Sequence, residues 1–86
     1  MISWNYQIRN AEGLHARPIA RIVMGLLRFS CQVTVAGTWG QADGRDLMKL
    51  MSLNSKQGDI LEFSFEGQDE KEASEAMQKL LGEIDL

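Results

Sequence analysis

Two neighbouring stretches, ISWNYQIR at residues 2–9 and ARPIARIVMGLLRF at residues 16–29, decide the fold because their apolar periodicities differ. In the first stretch, apolar and polar side chains alternate, which is typical of a strand with one buried face. In the second, apolar side chains recur at helical spacing and share one face of a helix. The residues on that face are Ile19, Ile22, Val23, Leu26 and Phe29. The chain is therefore predicted to begin with a strand and then a helix.

The remainder of the chain predicts five further elements. They are a strand around 31–35, a short return strand over 39–42 after a turn at Gly37 and Thr38, a helix over 47–53, a strand over 61–66 and a last helix that begins with Asp69 and Glu70. The buried stripe of the last helix should be Ala73, Ala76, Met77, Leu80, Leu81 and Ile84. The order β-α-β-β-α-β-α indicates an α+β open sandwich. Its sheet should be antiparallel or mostly so, because the strands alternate and are not apolar throughout.

Length, charge and cysteine content exclude several classes of protein. The 86 residues predict one domain, and the net charge of -3 argues against general nucleic-acid binding, which needs a basic surface. One His and one Cys cannot form a four-ligand zinc site or an internal disulfide. A reducing cytoplasm is therefore the expected compartment, and Cys31 should be a small buried side chain. No signal peptide or membrane span is visible.

The residues that could carry chemistry are concentrated in the run Gly13-Leu14-His15-Ala16-Arg17-Pro18, where the first helix begins. Gly13 permits backbone conformations that other residues avoid. Pro18 fits the first turn of a helix, where an N–H would have no intrahelical partner. The free backbone N–H groups of Ala16 and Arg17 would then point toward a group on the His15 ring.

This arrangement suits phosphate. Helix N-termini bind anions through unpaired N–H groups, and the planar guanidinium of Arg17 can hold two phosphate oxygens. A neutral imidazole of His15 could attack a phosphoryl donor, and the helix end would stabilise the product. For an arbitrary sequence, a single His near a helix start is more often a cap or a surface residue. The complete hexapeptide favours phosphate chemistry because each residue has a separate use in it.

The hexapeptide resembles the active-site signature of HPr, the histidine phosphocarrier family of the bacterial sugar phosphotransferase system. A second block, LMKLMSL at residues 47–53 followed by Lys56-Gln57-Gly58, resembles the second helix of that family and the turn after it. The start of the last helix, Glu66-Gly67 and Asp69-Glu70, is also similar. The resemblance covers essentially the whole chain without a gap, which implies a single HPr domain over residues 1–86.

The resemblance implies an open-faced β-sandwich in which three helices cover a four-stranded antiparallel sheet. It implies that enzyme I phosphorylates His15 on Nδ1 and that the group then passes to a IIA domain. Arg17 would be the phosphate partner, with the backbone of Ala16 and Arg17 as further donors. Such a protein is a carrier and not an enzyme acting on a small molecule, and it needs no cofactor or metal. We expect a monomer that meets enzyme I, IIA domains and regulatory proteins, without nucleic acid or membrane insertion.

Asp46 departs from the resemblance, because many family members carry a regulatory serine at this position. The simpler interpretation is that Asp46 is an N-cap of the second helix. The alternative is that its permanent charge partly mimics a phosphorylated serine, although phosphoserine carries nearly two charges. Faster phosphotransfer from enzyme I in Asp46→Ser would support the second interpretation.

An apolar surface beside His15 is the second departure. Its predicted members, here called the docking patch, are Ala20, Met24, Leu27, Leu47, Met48 and Met51. Residues of these types at helical spacing are usually buried. One helix, however, cannot bury Met24 and Leu27 together with its main apolar stripe. The patch should therefore dock partners, or pack against another domain if the chain is part of a fused multiphosphoryl transfer protein.

Two further questions stay open at this stage. Glu12 could repel a phosphoryl group on His15 or point to solvent and assist its release. A regulatory HPr-like module that only docks to other proteins is the alternative to the phosphocarrier, although such a module would not need His15. The sequence does not identify the sugar or the branch of the pathway.

Overall fold

The computed structural model describes residues 1–86, and its elements follow the predicted order β-α-β-β-α-β-α. The strands are β1 (Ile2–Gln7), β2 (Gln32–Ala36), β3 (Gln41–Asp43) and β4 (Ile60–Glu66). The helices are α1 (Ala16–Leu26), α2 (Leu47–Ser52) and α3 (Glu70–Glu83). The α+β open sandwich predicted from the alternating patterns is confirmed.

The four strands form one sheet in the order β1-β4-β2-β3, and all three pairings are antiparallel. Across the sheet, Trp4 pairs with Phe63, Phe63 with Val35, and Val35 with Ala42. These residues share the face that the helices cover, whereas the opposite face carries mainly polar side chains. The chain therefore buries one side of its sheet, as expected for strands that alternate in polarity.

The core lies between this sheet face and the helices. The rings of Trp4 and Phe63 are stacked, with centroids 4.9 Å apart, and Phe63 and Phe65 are fully buried. The indole N–H of Trp4 donates a hydrogen bond to the buried Ser74 hydroxyl at 2.8 Å. This bond satisfies two polar groups at the edge of the core, where a lone hydroxyl would carry a desolvation cost.

The end of α1 differs from the sequence prediction. Phe29 was expected on the apolar face of the helix, but α1 ends at Leu26 and Phe29 lies beyond it. Arg45 explains the end of the helix: its guanidinium donates to the carbonyls of Leu26 (3.2 Å) and Phe29 (2.7 Å). Carbonyls at a helix C-terminus lack intrahelical partners, so a cation from a distant loop satisfies them.

The return strand also begins later than predicted. Trp39 was expected at its start, but β3 begins at Gln41 and Trp39 lies in the turn, 82% exposed. A backbone hydrogen bond from the N–H of Gly37 to the carbonyl of Gly40 (2.7 Å) closes this turn. The turn is therefore four residues long, and a large aromatic side chain stands at its tip.

The stripe of α3 and the position of Cys31 need small corrections. In α3, Ser74 is buried although it was not predicted, and Leu80 is only half-buried. The predicted stripe also included Ile84, which lies just after the helix and is half-buried.

Cys31 precedes β2 and is buried. Its burial, and after it the nearby Asp69 carboxylate, raises the pKa of its thiol. The thiol therefore stays protonated, as expected for a packing residue.

None of the three helices is long and apolar enough to cross a bilayer. The structure also brings together no group of three His, Cys, Asp or Glu side chains that could hold a metal ion.

Candidate functional site

The loop before α1 is held in position by its glycine and by two backbone hydrogen bonds. Gly13 has a φ of +71°, and a Cβ at this residue would lie 2.6 Å from the carbonyl oxygen of Ser55. The N–H of Gly13 donates to Asn10 (3.0 Å), and the N–H of Leu14 donates to Ser55 (2.9 Å). Only glycine fits both the conformation and the close approach. The position of His15 is therefore fixed by the two residues before it.

His15 is the N-cap residue of α1, with extended backbone and no capping hydrogen bond from its side chain. The first N–H of the helical ladder belongs to Ile19, which donates to the His15 carbonyl at 3.1 Å. The N–H groups of Ala16 and Arg17 precede it and have no intrahelical acceptor. The first turn contains no acidic residue. An anion at this helix end would therefore meet unpaired donors, and no carboxylate of the first turn competes for them.

The two nitrogens of the His15 ring are not equivalent. Nε2 is buried and has no hydrogen-bond partner, whereas Nδ1 is not among the buried atoms. The ring as a whole is half-buried. Nδ1 is therefore the nitrogen that an incoming group can reach.

His15 opens onto a small surface depression, here called the His15 depression. Its lining consists of His15, Arg17, Pro18 and Arg21 from the start of α1 and of residues 83–85 from the end of α3. The guanidinium of Arg17 is exposed and forms no ion pair with the rest of the protein. The depression thus combines an accessible imidazole nitrogen with unpaired helix N–H groups and a guanidinium that has no partner in the protein. Together they suit a phosphoryl group attached to the ring.

The far side of the His15 depression is fixed by hydrogen bonds to the loop after β1. The side-chain amide of Asn10 donates to the carbonyl of Asp85 at 2.8 Å. The backbone N–H groups of Arg9 (2.6 Å) and Asn10 (2.9 Å) both donate to Leu86, whose side chain is buried. The last residues therefore form a fixed wall beside His15.

The docking patch predicted from the sequence lies on α1 and α2, which pack against each other. Five of its side chains are exposed, by between 40% and 74% of their surface, and they are Met24, Leu27, Leu47, Met48 and Met51. Ala20, the sixth member, is half-buried. The patch thus extends from α1, which also carries His15, onto the neighbouring helix.

Asp46 and Glu12 lie outside the His15 depression. Asp46 is the N-cap of α2, and its carboxylate accepts a hydrogen bond from the N–H of Lys49 at 3.1 Å. Glu12 is exposed, and its backbone N–H donates to the side chain of Asn10. Glu12 therefore does not line the position that a phosphoryl group on His15 would occupy.

Sequence reasoning missed three charged residues that line the His15 depression: Arg21, Glu83 and Asp85. Arg21 could have been found, because it lies one helical turn after Arg17, a spacing that places side chains on the same face. The two acidic residues could not, since only the packing of α3 against α1 brings them near His15.

Comparison with known proteins identifies the family of the chain. The family described as "PTS HPr component phosphorylation site" matches residues 2–83. The phosphocarrier protein HPr of Haemophilus influenzae is 37% identical over 81 residues, which cover 94% of this chain and 95% of that protein. The crystal structure of an HPr from Thermoanaerobacter tengcongensis superposes with a TM-score of 0.87 at 36% identity. That alignment covers 95% of this chain and 92% of the other.

A second group of relatives is longer. The multiphosphoryl transfer protein of Salmonella typhimurium is 38% identical over 80 residues. The match covers 90% of this chain but only 21% of that protein, so the chain spans about a fifth of its length. Both groups and the family profile agree over nearly the whole chain, and the chain belongs to the HPr family, the phosphocarriers of the phosphotransferase system.

Proposed function

We propose that residues 1–86 form an HPr domain that accepts a phosphoryl group on His15 from enzyme I and passes it to a IIA domain. The observation that carries the proposal is the His15 depression, where the reachable ring nitrogen lies beside Arg17 and a free helix N-terminus. Family membership supplies the direction of transfer and the class of partner.

The transfer needs no proton to leave the ring. With hydrogen on the buried Nε2, the lone pair of Nδ1 forms a bond to phosphorus while the bond between phosphorus and its donor breaks. The backbone N–H groups of Ala16 and Arg17 and the Arg17 guanidinium then hold the phosphoryl oxygens. Transfer to the acceptor repeats the displacement in reverse, with the His15 ring as the leaving group. Because two carboxylates, Glu83 and Asp85, line the depression with the arginines, stabilisation of the phosphoryl group should be moderate, as a carrier requires.

The docking patch supports the partner part of the proposal. Enzyme I and IIA domains must each approach Nδ1 of His15, and the exposed methionines form an adaptable apolar surface on α1, which His15 caps, and on the adjacent α2. We propose that both partners cover this patch during transfer. A cytoplasmic location and a monomeric state, the second being the simplest for a transient donor, remain predictions; the single cysteine supports the first.

The proposal predicts that His15→Ala abolishes phosphate uptake. Incubation of the wild-type protein with enzyme I and phosphoenolpyruvate should give one acid-labile phosphate per chain, measured by mass spectrometry of the intact protein. His15→Ala should carry none and should remain folded by circular dichroism, because the ring accepts no hydrogen bond and forms no cap. Equal phosphate on the variant would contradict the proposal.

A wild-type protein that remains unphosphorylated would favour a regulatory module that works by docking alone. The relation to multiphosphoryl transfer proteins supports a second candidate, in which the same domain acts within a fused chain. In that case the docking patch would also contact an adjoining domain. Mass measurement of the protein in extracts of its native cells distinguishes a free domain from a fused one.

A further inference from the structure

The five arginines of the chain differ in what they contact. Arg9 lies against Tyr6, Arg28 lies over the Phe29 ring at 4.7 Å, and Arg45 donates to the carbonyls after α1. The side chains of the other two, Arg17 and Arg21, form no hydrogen bond, ion pair or ring contact with the protein, and both line the His15 depression. The uncommitted guanidinium groups are thus the two nearest to the reactive imidazole.

Helix geometry directs Arg21 toward His15. Four residues separate Arg21 from Arg17, which corresponds to a rise of about 6 Å along the axis. Long helical side chains point back toward the N-terminus, so that of Arg21 covers the turn that contains Arg17. An extended arginine side chain spans a similar distance. The guanidinium of Arg21 can therefore reach a phosphoryl group on the ring while Arg17 contacts the same group.

Charge in the His15 depression sets the strength of this contact. The ionisable groups that line it are His15, Arg17, Arg21, Glu83 and Asp85. Two guanidinium groups face two carboxylates, so the site has no net charge when His15 is neutral. No ion pair joins the arginines to the carboxylates, and a dianionic phosphoryl group would thus meet two unpaired cations. The carboxylates oppose tight retention of the group.

We propose that Arg21 is a second phosphate-binding arginine, which contacts the phosphoryl group on His15 together with Arg17. This inference rests on the proposed phosphocarrier function. Arg21 stabilises the dianion in the phosphorylated state, and Glu83 and Asp85 limit that stabilisation so that the group can be passed on. Arg21 is thereby part of the site, although it lies six residues after the histidine.

The test compares Arg21→Gln with Arg28→Gln, an exposed arginine that gives the same change in net charge. Each protein is phosphorylated on His15 with enzyme I and phosphoenolpyruvate, and the phosphate is titrated by ³¹P NMR. A unit charge about 5 Å away through water corresponds to roughly half a pKa unit. Arg21→Gln should therefore raise the pKa of the phosphoryl group by about that amount, because loss of a cation disfavours the dianion. Arg28→Gln should leave this pKa near that of the wild type.

The equilibrium with enzyme I gives a second readout. The phosphorylated fraction of Arg21→Gln should correspond to an equilibrium constant roughly tenfold lower than that of Arg28→Gln, because the same Coulomb interaction acts on both charges of the dianion. Arg21→Lys should have a phosphate pKa close to that of the wild type, because it keeps the charge. Its equilibrium constant should recover less, because lysine lacks the planar fork of arginine. Circular dichroism spectra should be the same for all variants.

Two outcomes separate this inference from the function on which it rests. If the wild-type protein takes up no phosphate on His15, the proposed function fails and the role of Arg21 fails with it. If the wild type is phosphorylated but Arg21→Gln and Arg28→Gln have the same phosphate pKa and equilibrium, the role of Arg21 alone is overturned.

Discussion

The carboxylate of Asp46 accepts a hydrogen bond from the backbone N–H of Lys49, at the start of a helix of six residues. Such a bond satisfies one of the donors that a helix leaves free at its N-terminus. Helix capping is therefore sufficient to explain an aspartate at this position. Its charge is nevertheless permanent, and it lies at the first turn of α2, which carries Leu47 and Met48 of the docking patch.

The two roles of Asp46 can be separated by substitution. Asp46→Ala should lower the free energy of unfolding by about 1 kcal/mol in urea denaturation, whereas Asp46→Ser, which can still cap, should lose only a few tenths. If the charge also hinders partner docking, Asp46→Ser should be phosphorylated by enzyme I faster than the wild type. An unchanged rate would leave the cap as the only role of Asp46, and no loss of stability in Asp46→Ala would contradict the cap.

At the scale of the elements, the sequence predicted the number and order of strands and helices because their periodicities differ. It did not predict where α1 ends, since apolar spacing continues to Phe29. That end depends on Arg45, sixteen residues after Phe29, which donates to the last carbonyls. The start of β2 depends in the same way on Asp69, which accepts hydrogen bonds from the N–H groups of Ser30 and Cys31, both at 2.9 Å. Element ends are therefore fixed by contacts that no local pattern contains.

Asp69 predicts a specific dependence of stability on pH. The Ser30 N–H, and after it the hydrogen bonds involving Cys31, hold the pKa of the Asp69 carboxyl below its usual value of 3.8. A carboxyl with a lower pKa in the folded state stabilises the fold above its unfolded-state pKa, and this contribution is lost as the pH falls through the folded-state pKa. Asp69→Asn should therefore be less stable than the wild type at pH 6, and the difference should shrink below about pH 4.

Urea denaturation of the two proteins between pH 6 and pH 3 provides the measurement. Glu75→Gln is a suitable control, because Glu75 is an exposed residue of α3, the helix that begins directly after Asp69. Its difference from the wild type should be small throughout. A stability difference for Asp69→Asn that is constant over the whole range would show that the charge of Asp69 does not stabilise the fold.

At the scale of the whole molecule, the candidate site has a part that is continuous in sequence and a part that is not. The run from Gly13 to Pro18 could be interpreted directly, because each residue acts through its own backbone or side chain. The part formed by residues 83–85 could not be predicted from the sequence, because its position depends on a hydrogen bond from Asn10 to the end of the chain. The docking patch is intermediate: its residues and their exposure were predicted, but how far each side chain is exposed follows from the packing of the helices on the sheet.

The arrangement of the molecule, with helices on one sheet face only, allows docking to be tested separately from folding. Met48 is 74% exposed in the docking patch, and Ile60 is 46% exposed on the opposite sheet face, which no helix covers. Met48→Glu should raise the KM of enzyme I for the carrier by about tenfold, as expected when a central apolar contact worth more than 1 kcal/mol is lost. Ile60→Glu introduces the same charge and should leave the KM unchanged.

Both substitutions lie at exposed positions, so the free energy of unfolding should change by no more than about 0.5 kcal/mol in either case. If the rise in KM of Met48→Glu disappears after correction for any unfolded fraction, the substitution altered folding and not docking. Equal KM values for the two variants would show that enzyme I does not cover the methionine surface. Because the KM reports association and the phosphate pKa reports the His15 depression, Met48→Glu should also leave the phosphate titration of the isolated carrier unaffected. Partner recognition and phosphate binding are then separate properties of two surfaces that share α1.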